Sequence, residues 1–376
     1  MDDRPAEIRS LTGLRGVAAC WVMLYHAAWR GGTTAPVRVL IDHGYLAVDL
    51  FFILSGFVLA LNHAPAFRRD REAAYAGFLR KRLARTYPLY LVATLVCFAL
   101  VRAGAFTAGA FIGGPATGWA LAANLALIQS WHTGFASIDG PGWSVSAEWG
   151  AYLLFPLFCR AALSGPAWRG WAVAALCLLA VAGLSILPDA WAGEAGGRAG
   201  PLDLWVGASY APGLRCLAGF GLGVALFRAA GDGLGHRLGP RAYGHPLLCP
   251  ALAIALLALL CVRGADVAIV VLFAGLILVL SGGTDRVTRV LGSGPIRFLG
   301  TISYALYLVH EPVLAGWREA VARAGLPLDH AATLGCGLAS ALLLATLCHV
   351  LIERPARRLL GGLAFPPVSP ARPAAV

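Results

Sequence analysis

Long apolar runs separated by short polar segments recur along the whole sequence, and this pattern leaves few folds open. A helix needs about 20 mostly apolar residues to cross the hydrocarbon core of a bilayer. Ten stretches approach or meet that requirement: 11–29, 45–62, 86–103, 143–163, 170–187, 208–228, 246–263, 267–281, 298–317 and 331–352. The expected fold is an all-α polytopic membrane protein, a bundle of about ten transmembrane helices. The stretch 119–131 is apolar but short, and reads as a re-entrant or interfacial helix. Only 13% of the 376 residues are charged, against about 25% in an ordinary soluble domain. A soluble chain of this length would form two or three domains, and there is too little charge to cover them. A disordered chain and a nucleic-acid-binding domain are equally hard to sustain, despite a formal net charge of +11.

The charges that do occur predict an orientation. Basic residues gather in cytoplasmic loops of membrane proteins. Arg4 and Arg9 precede the first span, and the next basic loop holds Arg68, Arg69, Arg71, Arg80, Lys81, Arg82 and Arg85. Alternate later loops carry Arg160 with Arg169, then Arg228, Arg237 and Arg241, then Arg286, Arg289 and Arg297. Arg354, Arg357 and Arg358 follow the last span. The intervening loops are poorer in arginine and hold Asp139, Asp189, Glu194, Asp203, Asp266 and Asp329. Ten spans with both termini cytoplasmic satisfy this pattern, in a bacterial inner membrane. An eleventh span at 119–131 would invert the second half.

Residues 1–360 read as one membrane domain, and 361–376 as a disordered cytoplasmic tail rich in Pro and Ala. No secretory signal and no internal repeat is visible, and no soluble catalytic domain follows the spans, so chemistry is expected within the membrane domain. The nine cysteines lie mostly in apolar runs without a C-x-x-C pair. They read as small buried apolar side chains, and no metal site is expected.

Ionisable groups inside spans are costly and tend to be functional. Arg15 and His26 lie eleven residues apart in the first span, roughly 16 Å along a helix axis. Eleven steps of about 100° bring both side chains to one face. Arg15 alone reads equally well as a snorkelling anchor, and His26 alone as a satisfied interior histidine; the aligned pair suggests more. Depth assigned from the topology brings His26, Asp49, Glu148, His310 and Glu311 to one outer level, with Tyr304 and Tyr307 nearby and Pro312 able to kink the helix. The run F-L-R-K-R-L-A-R-T-Y-P-L-Y (78–90) places Arg82 and Arg85 at i, i+3. An ordinary basic loop touching lipid head groups explains most such runs; an anion clamp beside Arg15 is the functional reading. One geometry joins these facts. A phosphate-bearing donor such as coenzyme A, held by the arginines, sends its thioester arm towards His26. A neutral imidazole then acts as general base on an acceptor hydroxyl, oriented by Asp49 or Glu148.

The motifs in order are E-I-R-S-L-T-G-L-R-G-V-A-A-C-W-V-M-L-Y-H (7–26), V-D-L-F-F-I-L-S-G-F (48–57), the basic run 78–90, W-S-V-S-A-E (143–148), I-S-Y-A-L-Y-L-V-H-E-P (302–312) and I-E-R-P (352–355). Over about residues 7–360 the sequence resembles the acyltransferase-3 family, integral-membrane acyltransferases that include O-antigen acetylases. The resemblance implies that His26 carries acyl transfer and that Arg15, Arg82 and Arg85 bind the acyl donor. It matches Trp143, Ser144 and Glu148 to the family's W-S-x-S-x-E motif, with Trp149 where a polar group is usual. No esterase-like domain is appended, so the resemblance is to the stand-alone type.

The leading expectation is an acyl-CoA-dependent O-acyltransferase, moving an acetyl group to a carbohydrate, lipid-linked glycan or small hydroxylated acceptor. The acyl-CoA is a co-substrate, no cofactor is bound, and the partners are the donor, the acceptor and membrane lipids. His26 would be the base or a transient acyl carrier, with Asp49 and Glu148 as its catalytic partners. Trp143, Ser144, Tyr304, Tyr307 and His310 would line the acceptor cavity. The alternative is a transporter exporting a hydrophobic or acylated molecule; transporters often carry two-fold repeats, which are absent here.

Overall fold

The computed structural model describes residues 7–27, 35–69, 71–106, 115–192, 198–231, 245, 247–283, 285–325 and 330–361. Arg4, Glu194, Arg237, Arg241, Asp329 and the tail 362–376 lie outside the described residues. The described chain is helical without strands. Its helices, in order, are α1 (Arg9–His26), α2 (Ala35–Asp42), α3 (Ala47–Arg69), α4 (Arg71–Arg102), α5 (Gly118–Leu125), α6 (Gly142–Leu153), α7 (Phe155–Phe158), α8 (Trp168–Ser185), α9 (Asp189–Ala192), α10 (Ala211–Gly231), α11 (Leu248–Leu260), α12 (Asp266–Gly282), α13 (Arg286–Leu291), α14 (Gly294–Ala324), α15 (His330–Cys348) and α16 (Arg354–Gly361).

Each apolar stretch is helical. Among the described residues, six helical stretches are long and apolar enough to cross a membrane, and α11 and α12 are shorter apolar helices. The remaining two expected spans coincide with α1, which carries Arg15 and His26, and with α6–α7, whose 12-residue first part carries Ser144 and Glu148. Large apolar side chains face outward along α8, α11 and α15, among them Leu176, Leu179, Ile254 and Leu343. Such a belt is costly in water and natural against lipid tails.

Two local results differ from the expectation, and a third refines it. The basic run 78–90 lies inside the 32-residue helix α4 and is not a loop. Leu, Ala, Arg and Lys are strong helix formers, and an arginine stem can follow an apolar surface. The stretch 143–163 is interrupted after Leu153, next to Pro156, and closes in a π-helical turn over Cys159–Leu163. The stretch 119–131 is a short helix ending at Leu125. Leu127 and His132 then take positive φ values of 58° and 59°, and the chain turns back on itself.

Two glycine contacts set the geometry of the centre. A Cβ on Gly16 of α1 would strike the backbone of α14 at Gly300, and one on Gly300 would strike Thr12. Gly56 of α3 and Gly223 of α10 meet the facing backbones in the same way. Small residues let membrane helices approach this closely, and packing then replaces the absent hydrophobic driving force. The α1–α14 contact brings the helix bearing His26 against the helix bearing His310.

Candidate active site

A cavity of about 90 Å³ opens between α1, α3, α4, α6 and α14. Arg15, Arg82 and Arg85 line it together with Glu148, Ser144, Tyr304 and Tyr307. Arg82 and Arg85, three residues apart on α4, share a face, and α1 supplies Arg15. Three guanidinium groups meet one carboxylate, so the cavity is electropositive and suited to an anion. Arg82 Nε is buried without a hydrogen-bond partner. Tyr304 donates to the Thr86 carbonyl at 2.7 Å, and Ser144 Oγ donates to the Tyr307 hydroxyl at 2.9 Å.

Tyr307 leads to a pair of histidines: its ring centroid lies 5.9 Å from that of His310. His310 is fully buried, and its Nδ1 lies 2.8 Å from the Tyr307 carbonyl and 3.2 Å from the Leu306 carbonyl. A nitrogen facing only carbonyls carries the hydrogen, so in the neutral ring His310 Nε2 holds a lone pair. That lone pair meets His26 Nδ1 at 3.1 Å. His26 Nδ1 also faces the Val22 carbonyl at 3.0 Å, a second acceptor. His26 Nδ1 therefore carries its ring's hydrogen, assigned from this network. His26 Nε2 is left with the free lone pair, on a half-buried side chain.

Three expected site residues are elsewhere. Asp49 does not orient His26. Arg215 Nε donates to Asp49 Oδ1 at 2.9 Å and its NH2 group to Oδ2 at 2.7 Å. Both side chains are nearly sealed, at 2% and 1% exposed. Arg215 also donates to the Leu204 and Tyr45 carbonyls, and its guanidinium lies 5.7 Å from the centre of the Trp143 ring. Trp143 thus covers this ion pair and is not among the residues lining the arginine cavity. Glu148 lines the arginine cavity, with no hydrogen bond to either histidine. The physical reason is depth. The first turn of α6 is already buried beneath the loop 126–141, and Glu148 lies six residues, about 9 Å, further along the axis. The position facing His26 Nδ1 is held by His310, not by a carboxylate.

Residues not expected in the site shape this region. Arg215 stands in the interior of the apolar run 208–228, far from the Arg228 that ends it, and that isolation is the available signal. Asn124 ties α5 to the loop by donating to the Ala120 and Ala136 carbonyls and accepting from Ile138 N–H. Gln129 donates to the Tyr90 hydroxyl and the Gly142 carbonyl. Asp139, just before α6, is fully buried and neither carboxylate oxygen has a partner. Burial, and then the neighbouring Glu311 charge, push its carboxyl well above the usual carboxylate range. The folded chain then holds a proton that the unfolded chain releases above the ordinary value of 3.8. Stability from this group falls as pH rises through that window. Asp139→Asn is expected to raise the melting temperature at pH 8 and to give no gain near pH 4. A uniform gain, or a loss at pH 8, in melts of detergent-solubilised protein would contradict this.

The sequence profile of the family described as "Acyltransferase domain" matches residues 8–350. The chain is 31% identical over 382 residues to "Acyltransferase MdmB" of Streptomyces mycarofaciens, covering 96% of this chain and 94% of that protein. It is 25% identical over 333 residues to "Putative peptidoglycan O-acetyltransferase YrhL" of Bacillus subtilis (strain 168), covering 82% of this chain and 48% of the relative. A shorter match, 29% over 101 residues, joins it to "O-acetyltransferase OatA" of Staphylococcus aureus (strain NCTC 8325 / PS 47), covering 26% of this chain and 15% of that protein. No solved structure matches.

Proposed function

Given that the chain belongs to the acyltransferase-3 family, we propose that it transfers an acetyl group from acetyl-CoA to a hydroxyl of a cell-envelope carbohydrate or small hydroxylated molecule. The observation that carries this reading is the hydrogen-bond chain from the Tyr307 carbonyl through His310 to His26. It leaves His26 Nε2 as a base of fixed tautomer. In the proposed step His26 Nε2 takes the proton of the acceptor hydroxyl as the oxygen attacks the thioester carbonyl. The C–O bond forms, the C–S bond breaks, and the proton passes from His26 to the departing thiolate. His310 and the Val22 carbonyl face the Nδ1–H throughout and favour the transient imidazolium. Arg15, Arg82 and Arg85 hold the donor's phosphates by charge-assisted hydrogen bonds. Glu148 offsets the mutual repulsion of those guanidinium groups, and Ser144 with Tyr307 forms the wall between cavity and histidines.

The basic loops support an inner-membrane location with both termini cytoplasmic, so the donor would enter from the cytoplasm. The name of the Bacillus subtilis relative, a putative peptidoglycan O-acetyltransferase, supports a carbohydrate acceptor.

Labelled acetyl-CoA supplied to membranes containing the chain tests the reaction. Label is expected to appear on a hydroxylated acceptor; label that stays on coenzyme A would contradict the proposal. In the same assay Arg85→Ala should raise the donor KM about tenfold, the worth of one lost hydrogen bond to a charged group, with little change in kcat. An unchanged donor KM would remove Arg85 from the donor site.

A further inference from the structure

The segment after α15 carries groups that the reaction above does not use. A π-helical turn, His349–Glu353, leads into α16, which packs against α4. Glu353 is 3% exposed, and its Oε2 lies 3.0 Å from His349 Nδ1 and accepts from an Arg357 NH2 group at 3.2 Å. Glu353 Oε1 has no partner, and neither has Arg357 Nε. A self-sufficient ion pair would use both. Here the carboxylate grips one edge of the guanidinium and leaves a donor over. Arg357 Nε is itself buried, but the side chain as a whole is 35% exposed, so other parts of the guanidinium are open to a ligand. Arg82 and Arg85 are within its electrostatic reach, and Arg357 lies outside the cavity those two line. The fold thus adds a fourth guanidinium beyond the other three, from a helix remote in sequence.

We propose that Arg357, positioned by Glu353, binds the outermost phosphate of the donor, the 3′-phosphate on the ribose of coenzyme A. This rests on the acyl-CoA reading. With the thioester at His26 and the diphosphate among Arg15, Arg82 and Arg85, the ribose phosphate is the anionic group left at the mouth. A planar guanidinium fork matches a phosphate better than a lysine point charge would.

Calorimetric titration of the full chain in nanodiscs, with coenzyme A and with 3′-dephospho-coenzyme A, tests the inference without knowing the acceptor. The wild type is expected to bind coenzyme A about tenfold more tightly. Arg357→Gln should erase that preference while its affinity for the dephospho form stays unchanged. Arg358→Gln, an exposed neighbour on the same helix, should keep the preference and controls for damage to α16. A preference that survives Arg357→Gln overturns the inference. In that case nanodiscs with and without phosphatidylglycerol would show whether the guanidinium serves a lipid phosphate instead. Equal wild-type binding of both probes also overturns it, yet leaves the acyl-CoA reading standing; binding of neither overturns that reading itself.

Discussion

His26→Ala is expected to slow acyl transfer by about a hundred- to ten-thousand-fold, the usual worth of a positioned general base, with donor affinity nearly unchanged. The split follows from the geometry: the guanidinium groups that would hold the donor come from α1, α4 and α16, and none touches the His26 ring. His310 supplies the finer test. Its hydrogen bond to His26 is at Nδ1, away from Nε2, so its loss removes one of the two acceptors that fix the tautomer, leaving the Val22 carbonyl, and leaves the base in place. His310→Ala should therefore lose less activity than His26→Ala. His310→Gln should retain more than His310→Ala, because an amide oxygen can accept the same N–H. Single-turnover transfer from labelled acetyl-CoA reads all three. Equal losses in the two His310 variants would reduce its part to packing.

Asp49→Ala is expected to cost about 3–5 kcal/mol of stability, the penalty for leaving a buried partner charge unpaired. Arg215 would keep two carbonyl acceptors, Leu204 and Tyr45, and lose its counter-charge. This pair joins α3 to α10 at the level where Tyr45 donates to Asp266 at 2.9 Å and Tyr25 to Asp203 at 3.2 Å. Its loss would loosen the packing under the histidines. The double variant Asp49→Leu with Arg215→Met should recover most of the loss, since a buried ion pair exchanged for apolar groups is often neutral. Thermal melts and size-exclusion profiles in detergent give the answer. An Asp49→Ala protein that melts like the wild type but transfers no acyl group would return Asp49 to the chemistry.

These two predictions mark where sequence reasoning reached and where it stopped. The helices were legible because burial in lipid leaves a one-dimensional trace, an apolar run, and each run is helical. The arginines were legible for a related reason: Arg15 is costly where it stands, and Arg82 and Arg85 share a face at i, i+3. Pairing across the fold was not legible. Asp49 meets a partner 166 residues away, and His26 meets one 284 residues away. Depth along a span gave Glu148 and Asp49 the level of His26, but depth carries no azimuth, and azimuth decides which neighbour a side chain meets. Glu148 also moved inward because the loop before α6 folds into the protein. In the sequence Arg357 is one more topology charge, since nothing local shows that α16 returns to α4.

The central claim, acetyl transfer to a specific hydroxyl through His26, is tested most directly by mass spectrometry. Glycans, lipids and secreted metabolites would be compared from a host lacking the gene, from the wild type, and from the same host restored with His26→Ala. One molecule gaining an acetyl mass increment in the wild type alone is the expected result. Identical profiles in the wild-type and His26→Ala strains, with the variant present and folded in the membrane, would contradict it.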